Sequence, residues 1–176
     1  MSKGHKVFFL DRDGTINVDH TYVHKKEEWS WTHNAQQALR TLQELGYKLV
    51  IITNQSGIGH GMYSEQAMHL LHEWMQAELV QFGVKLDAVL YCPHKRDADC
   101  TCRKPKTGMA QQAEEKIGEI DYENSWTIGD KTADLNFGKK LGTKTALVKS
   151  QYWTNDDITD QPDIIVNSLY EASLAI

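Results

Sequence analysis

Short apolar runs alternate along the chain with longer segments in which apolar positions recur every three or four residues. Runs rich in β-branched and aromatic residues predict strands over 6–10, 48–53, 88–92, 125–128, 144–148 and 164–166. Between them, residues 34–45 place Ala38, Leu39, Leu42 and Leu45 on one helical face. Ser64 is the N-cap of a helix reaching about Gln81, and Gly46 and Gly142 stand where left-handed helix stops are expected. The connections are too long for hairpins, so the alternation predicts an α/β fold with a parallel sheet covered by helices on both faces. Ligands of such sheets bind outside the carboxyl ends of the strands, which directs attention to the residues just after each run.

The 176 residues suffice for one domain with one core, spanning 1–176, and no repeat or linker-like tract divides them. A composition of 40% hydrophobic and 24% charged residues is that of a globular protein. The net charge of −5 provides no basic field, which argues against nucleic acid or an anionic membrane surface as the main partner. No stretch approaches the roughly 20 apolar residues of a membrane span, and residues 1–6 lead into a strand instead of a signal-peptide core. A cytoplasmic monomer is the expectation.

Four strand ends carry residues suited to phosphate chemistry. Asp11 follows the first strand, and Asp13, two residues on, can point to the same side. Two acids in one crevice repel, so a hard cation such as Mg²⁺ is the natural neutraliser, with Asp130 joining from the end of the fourth strand. Gly14 lets the chain turn sharply there, and Thr15 is placed to fix the turn with its hydroxyl. After the second strand, Thr53, Asn54, Gln55, Ser56 and Gly57 offer hydroxyl, amide and backbone donors for phosphoryl oxygens. Arg103 and Lys104 bring two cations ahead of a helix start, and Asp134 lies one turn into a helix beginning near Thr132, where it serves the metal or simply complements the helix dipole.

Cys92, His94, Cys100 and Cys102 put three thiolates and an imidazole within eleven residues, a full tetrahedral set for Zn²⁺. With no open coordination position such a zinc is structural. It would fold a loop that has no hydrophobic core of its own and hold Arg103 and Lys104 over the pocket.

In order along the chain, Asp11-x-Asp13-x-Thr15, Thr53, Lys104 and the acidic stretch at Asp130 resemble the motifs of the haloacid dehalogenase superfamily of phosphatases. Within it, the run from Leu10 to His24, with Thr53 to Ile58 and Cys102 to Pro105, is most similar to the branch acting on heptose bisphosphates. The resemblance covers about Val7 to Val148 and implies a Rossmann-like domain without a large cap. It implies that Asp11 is the nucleophile and an Mg²⁺ ligand, and that Asp13 is the general acid/base and lends its backbone carbonyl to the metal. Asp130 would be the third protein ligand, while Thr53 and Lys104 would stabilise the phosphoryl group. Asp19, His20, Thr21 and Tyr22, with Asn54, Gln55, Ser56, Arg103 and Lys131, would bind a small phosphorylated sugar. The implied work is a step towards nucleotide-activated heptose and the lipopolysaccharide core.

Only five residues separate His94 from Cys100, a spacing closer to the related histidinol-phosphate phosphatases, which keeps that substrate as the alternative. A receiver-type phospho-accepting module also sets acids, a Thr or Ser and a Lys on a parallel sheet. Asp13 separates the two, because only a phosphatase needs an acid/base two residues after its nucleophile. His69 and His72 read as exposed helical histidines, and the five tryptophans as core and rim packing.

Overall fold

The computed structural model describes residues 4–176. Six parallel strands form one sheet in the order β3-β2-β1-β4-β5-β6: β1 Val7–Leu10, β2 Lys48–Asn54, β3 Ala88–Cys92, β4 Trp126–Gly129, β5 Lys144–Val148 and β6 Ile164–Val166. The expected strands are all present, each within one residue of its predicted ends. Six helices connect and flank them: α1 Ala35–Glu44, the single turn α2 Ser56–Gly59, α3 Glu65–Gln81, α4 Gly108–Ile117, α5 Thr132–Leu141 and α6 Leu169–Ala175.

Strand alternation divides the core in two. Phe8, Leu10, Leu49 and Ile51 face Ala38, Leu39 and Leu42 of α1, Leu71, Met75 and Leu79 of α3, and Leu169 and Ala172 of α6. Val7, Phe9, Val50 and Ile52 face Met109, Ala110 and Ala113 of α4 and Phe137 of α5. With both faces covered, β1 and β2 must be apolar almost throughout, which is why their sequences read as continuous runs.

Helix ends follow the expected chemistry in part. The Ser64 hydroxyl accepts from the amide of Ala67 at 3.1 Å, and Gly142 closes α5 in the left-handed region at φ 79°. Leu45 departs from its expected place on the apolar face: it caps α1 beyond the last buried turn and is exposed. Among the described residues, no helix is long and apolar enough to cross a membrane.

The strand order fixes where function can sit. From β1 the chain crosses to β2 on one side, and after β3 it returns to β4 on the other, so β1 and β4 flank the point where the winding reverses. The crevice outside their carboxyl ends is the binding position of such a sheet, and Asp11 and Asp130 are the residues that immediately follow these two strands.

Candidate active site

Asp11 leaves β1 with its amide donating to the carbonyl of Ile128 on β4 at 3.0 Å, so the two strand ends are locked side by side. The next turn winds around one carbonyl: that of Arg12 accepts from the amides of Thr15, Ile16 and Asn17 at 3.2, 2.8 and 3.2 Å. Gly14 sits at φ 85°, and a Cβ there would lie 2.1 Å from the Asp130 carboxylate. The glycine therefore provides close approach as well as the turn. The Thr15 hydroxyl does not fix this turn as expected; it is buried without a partner among the described residues, and Thr32 instead donates to the Thr15 carbonyl at 2.8 Å.

Asp11, Asp130 and Asp134 bring carboxylate oxygens within 4.8 Å of one another, all three buried. Burial, followed by the charge of Asp11, pushes the Asp130 carboxyl up to about 8. Three buried acids with so few compensating charges are the donor set a hard dication would relieve, so the residues fit Mg²⁺. Gly129 admits Asp134 to this cluster, since a Cβ at residue 129 would meet its carboxylate at 2.1–2.2 Å.

Lys104 reaches into the cluster from the far wall. Its Nζ donates to Asp11 Oδ1 at 2.9 Å, Asp134 Oδ1 at 2.6 Å and the Ile52 carbonyl at 2.7 Å. Burial disfavours the ammonium, but the charges of Asp11 and Asp134 outweigh that and hold its pKa above the ordinary value. Asp134 is thus no surface acid: Oδ1 holds Lys104, and Oδ2 accepts from the Lys131 amide at 3.1 Å, capping α5.

Asp13 lines the same cavity, but its carboxylate stands outside the three-acid cluster. Oδ1 accepts from Arg12 Nη2 at 2.8 Å and Asn17 Nδ2 at 3.0 Å; Oδ2 accepts from Gln55 Nε2 at 3.0 Å. Burial alone would raise this carboxyl, yet the charge and hydrogen bond of Arg12, with those of Asn17 and Gln55, bring it below the ordinary range. The two aspartates of the motif therefore occupy different electrostatic surroundings two residues apart, which is what separate chemical roles require.

The cavity measures about 580 Å³. Asp19, Thr21 and Tyr22 form one wall, where Thr21 and Tyr22 are both left-handed at φ 62° and 55°. Asn54, Gln55, Ser56 and Tyr63 line the cavity as well, and Lys131 and Tyr152 meet Asp19, the Lys131 Nζ at 3.7 Å and the Tyr152 hydroxyl donating at 2.8 Å. Lys131 lies 4.3 Å over the Tyr152 ring and 3.3 Å from Asp130; its pKa is raised because the acids around it outweigh its burial. Arg96, Arg103 and Lys106 complete the rim, and none of the three makes an ion pair among the described residues.

Most expected site residues converge here, with two differences of placement. His20 is exposed and outside the cavity lining. Thr53 is buried behind Gln55, its hydroxyl accepting from Gln55 Nε2 at 2.8 Å. Asn54 and Gln55 line the cavity, but their side-chain amides are engaged within the protein, Asn54 by the backbone of Lys104 at 3.0 and 3.2 Å. Among the residues that sequence reading missed is His72, which is 4% exposed and whose Nε2 accepts from Arg12 Nη1 at 3.0 Å. Its burial overturns the surface reading, and burial with the charge of Arg12 lowers its pKa to about 3. Tyr63, Tyr152, Arg96 and Lys106 were missed as well; as single residues on loops they carry no periodic signal.

Cys92, His94, Cys100 and Cys102 also converge. Cys92 Sγ is 3.4 Å from His94 Nδ1 and 3.9 Å from Cys100 Sγ, and His94 Nδ1 is 3.3 Å from Cys102 Sγ. A tetrahedron with Zn–S bonds of about 2.3 Å has edges of about 3.8 Å, so the four atoms fit that ion. Burial pushes the Cys92 thiol up to about 12, leaving a metal as the means of keeping it ionised.

A family model described as polynucleotide kinase 3 phosphatase matches residues 6–158. The D-glycero-beta-D-manno-heptose-1,7-bisphosphate 7-phosphatase of Haemophilus ducreyi is 42% identical over 176 residues, covering 96% of each chain. A D-glycero-alpha-D-manno-heptose-1,7-bisphosphate 7-phosphatase of Photorhabdus laumondii is 38% identical, covering 97% of this chain and 96% of that one. Among solved structures, the D,D-heptose 1,7-bisphosphate phosphatase of B. bronchiseptica, complexed with magnesium and phosphate, superposes with a TM-score of 0.87 at 28% identity, covering 97% of both chains.

Proposed function

Since the chain belongs to the polynucleotide kinase 3 phosphatase family of the haloacid dehalogenase superfamily, we propose that it removes the 7-phosphate of D-glycero-D-manno-heptose 1,7-bisphosphate. On this reading it is a magnesium-dependent phosphatase that passes through an aspartyl phosphate on Asp11 and acts on the route to nucleotide-activated heptose. The observation that carries it is the different setting of the two motif aspartates: Asp11 beside Lys104 among three acids, Asp13 held apart by neutral and cationic donors.

Asp11, Asp130 and the Asp13 carbonyl would hold Mg²⁺, which supplies charge neutralisation at the phosphoryl oxygens. The carboxylate of Asp11 attacks phosphorus in line, forming one P–O bond as that to the sugar oxygen breaks. Asp13 would enter the reaction protonated, against the lowering effect of Arg12, give that proton to the departing oxygen and regain one from the water that hydrolyses the acyl phosphate, the base step that its lowered pKa favours. Lys104, aligned by Asp134, faces the charge that develops on the phosphoryl group. Asp19, Tyr22 and Lys131 would contact the sugar. The unpaired cations Arg96, Arg103 and Lys106 suit a second phosphate at the rim.

Loop length is what favours the histidinol-phosphate reading, and the uncompensated cationic rim weighs against it, because that substrate bears only one phosphate. Release of free phosphate, compared as kcat/KM, decides the matter across a panel of esters holding both heptose bisphosphate anomers, heptose 7-phosphate and histidinol phosphate. Heptose bisphosphate is expected to exceed the others by at least about tenfold. Equal or faster turnover of histidinol phosphate would reject the assignment.

A further inference from the structure

Arg12 is the largest fully buried side chain among the described residues, with no exposed surface at all. Burying a guanidinium costs several kcal/mol, and an apolar side chain of similar size would fill the space at less cost. Among the described residues, the only carboxylate paired with Arg12 is that of Asp13. Its Nη2 donates to Asp13 Oδ1 at 2.8 Å and to the Val23 carbonyl at 2.6 Å, while Nε has no hydrogen-bond partner among the described residues. The remaining end of the fork, Nη1, lies 3.0 Å from Nε2 of His72 on α3.

A guanidinium is planar, and its two Nη groups are fixed relative to each other. Holding Nη1 therefore sets the direction in which Nη2 presents its proton to Asp13. Because Arg12 has no proton acceptor of its own, His72 Nε2 must be the acceptor here, with the ring proton on Nδ1. The ring is held from below, packed in a helix whose neighbouring residues Leu71 and Met75 are core. On the other side of the carboxylate, Gln55 holds Oδ2 and is itself oriented by the Tyr63 hydroxyl. Asn17 Nδ2 also donates to Oδ1 at 3.0 Å, so both oxygens are fixed, and one of the three supports leads back to an imidazole outside the cavity.

We propose that His72 is a positioning residue for Asp13, acting through Arg12 to fix the carboxyl that protonates the leaving oxygen. The inference rests on Asp13 being the general acid of the proposed reaction. It makes His72 part of the two proton transfers of Asp13, of which kcat/KM reads the first, and not of the attack on phosphorus, which Asp11 makes and His72 does not touch.

The test compares leaving groups that need a proton with those that do not. His72→Met and His72→Gln are both unbranched and similar in size, but only Gln provides an oxygen acceptor for Nη1. The substrates are the fastest alkyl phosphate of the ester panel and p-nitrophenyl phosphate, whose phenolate departs unprotonated. For His72→Met, kcat/KM is expected to fall about tenfold on the alkyl ester and less than twofold on the aryl ester, with KM little changed. His72→Gln should recover most of the loss. Asp13→Asn serves as the control and should show the same leaving-group dependence more strongly.

If Asp13→Asn shows that dependence and His72→Met loses activity equally on both esters, or not at all, the inference is wrong while the reading of Asp13 stands. If Asp13→Asn shows no dependence, the assignment of Asp13 fails and the inference fails with it. Should His72→Met not fold, Arg12→Lys makes the same comparison, since it keeps a cation near Asp13 without a fork spanning to His72; its expected pattern and its overturning pattern are the same.

Discussion

Two clusters of four side chains lie on neighbouring parts of this molecule and are built in opposite ways. Cys92, His94, Cys100 and Cys102 come from eleven consecutive residues, whereas Asp11, Lys104, Asp130 and Asp134 are drawn from positions 123 apart at the extremes, between residues 11 and 134. The first is a local chelate that needs only a short loop to close and a metal to close on. The second exists only because β1 and β4 are adjacent in the sheet, so it is as stable as the fold and no more local than the fold. The two are joined covalently: Lys104 is two residues beyond Cys102. A loop that would gain its order from zinc would thereby deliver the cation on which the carboxylate cluster closes.

The largest expected effect removes the chemistry and leaves both clusters' scaffolds in place. Asp11→Asn should lower turnover on the order of 10⁴-fold or more. Its far-ultraviolet circular dichroism and its content of one zinc per chain should match the parent. Near-native turnover would remove Asp11 from the mechanism, and loss of zinc would show that the clusters are not separable in the way their geometry implies.

Stripping the zinc reverses the comparison. Cys102→Ser, or prolonged chelation, should disorder the loop while the six-stranded sheet persists, because the loop contributes little to either half of the core beyond its cysteines. Turnover should fall roughly 10²- to 10³-fold as Lys104 loses its anchor, the scale expected when one preorganised charge contact is lost. Elemental analysis, activity and recovery on adding Zn²⁺ measure this together. Metal-free protein with full activity would mean that Asp11, Asp134, the Ile52 carbonyl and Asn54 hold Lys104 without the zinc.

The same contrast explains what the chain disclosed before its structure was known. The cysteine set is legible because its ligands are close in sequence and the residue types are rare. The carboxylates were found because each follows an apolar run, and strand ends are where parallel sheets bind ligands. Asp134 was harder to read, since a helix N-terminus attracts acids for its dipole alone; only the room made by Gly129 turns this one inward. His72 was misread because α3 has apolar residues on much of its circumference, so periodicity could not tell which histidine of the 69/72 pair faced the core. Arg12 offered no signal at all: a charged residue beside two acids reads as solvated, and its burial depends on α3 meeting the loop after β1. Thr15 failed for a related reason, since the turn it was to fix is already satisfied by the Arg12 carbonyl.

The smallest effect asks whether the zinc loop is only a scaffold or also part of the binding surface. Arg96 lies inside the five residues between His94 and Cys100, is exposed, lines the cavity and has no acid partner among the described residues. An exposed cation meeting a phosphate is worth about 1 kcal/mol, less in high salt. Arg96→Ala should therefore lower kcat/KM for the 1,7-bisphosphate by about fivefold at low ionic strength and leave heptose 7-phosphate unchanged. The loss should shrink as salt is raised, because screening already weakens the contact in the parent. An equal loss on both substrates would place Arg96 at the transferred phosphate, and no loss on either would confine the loop to holding Lys104, which is the sharper form of the division between a cluster that orders the chain and one that does chemistry.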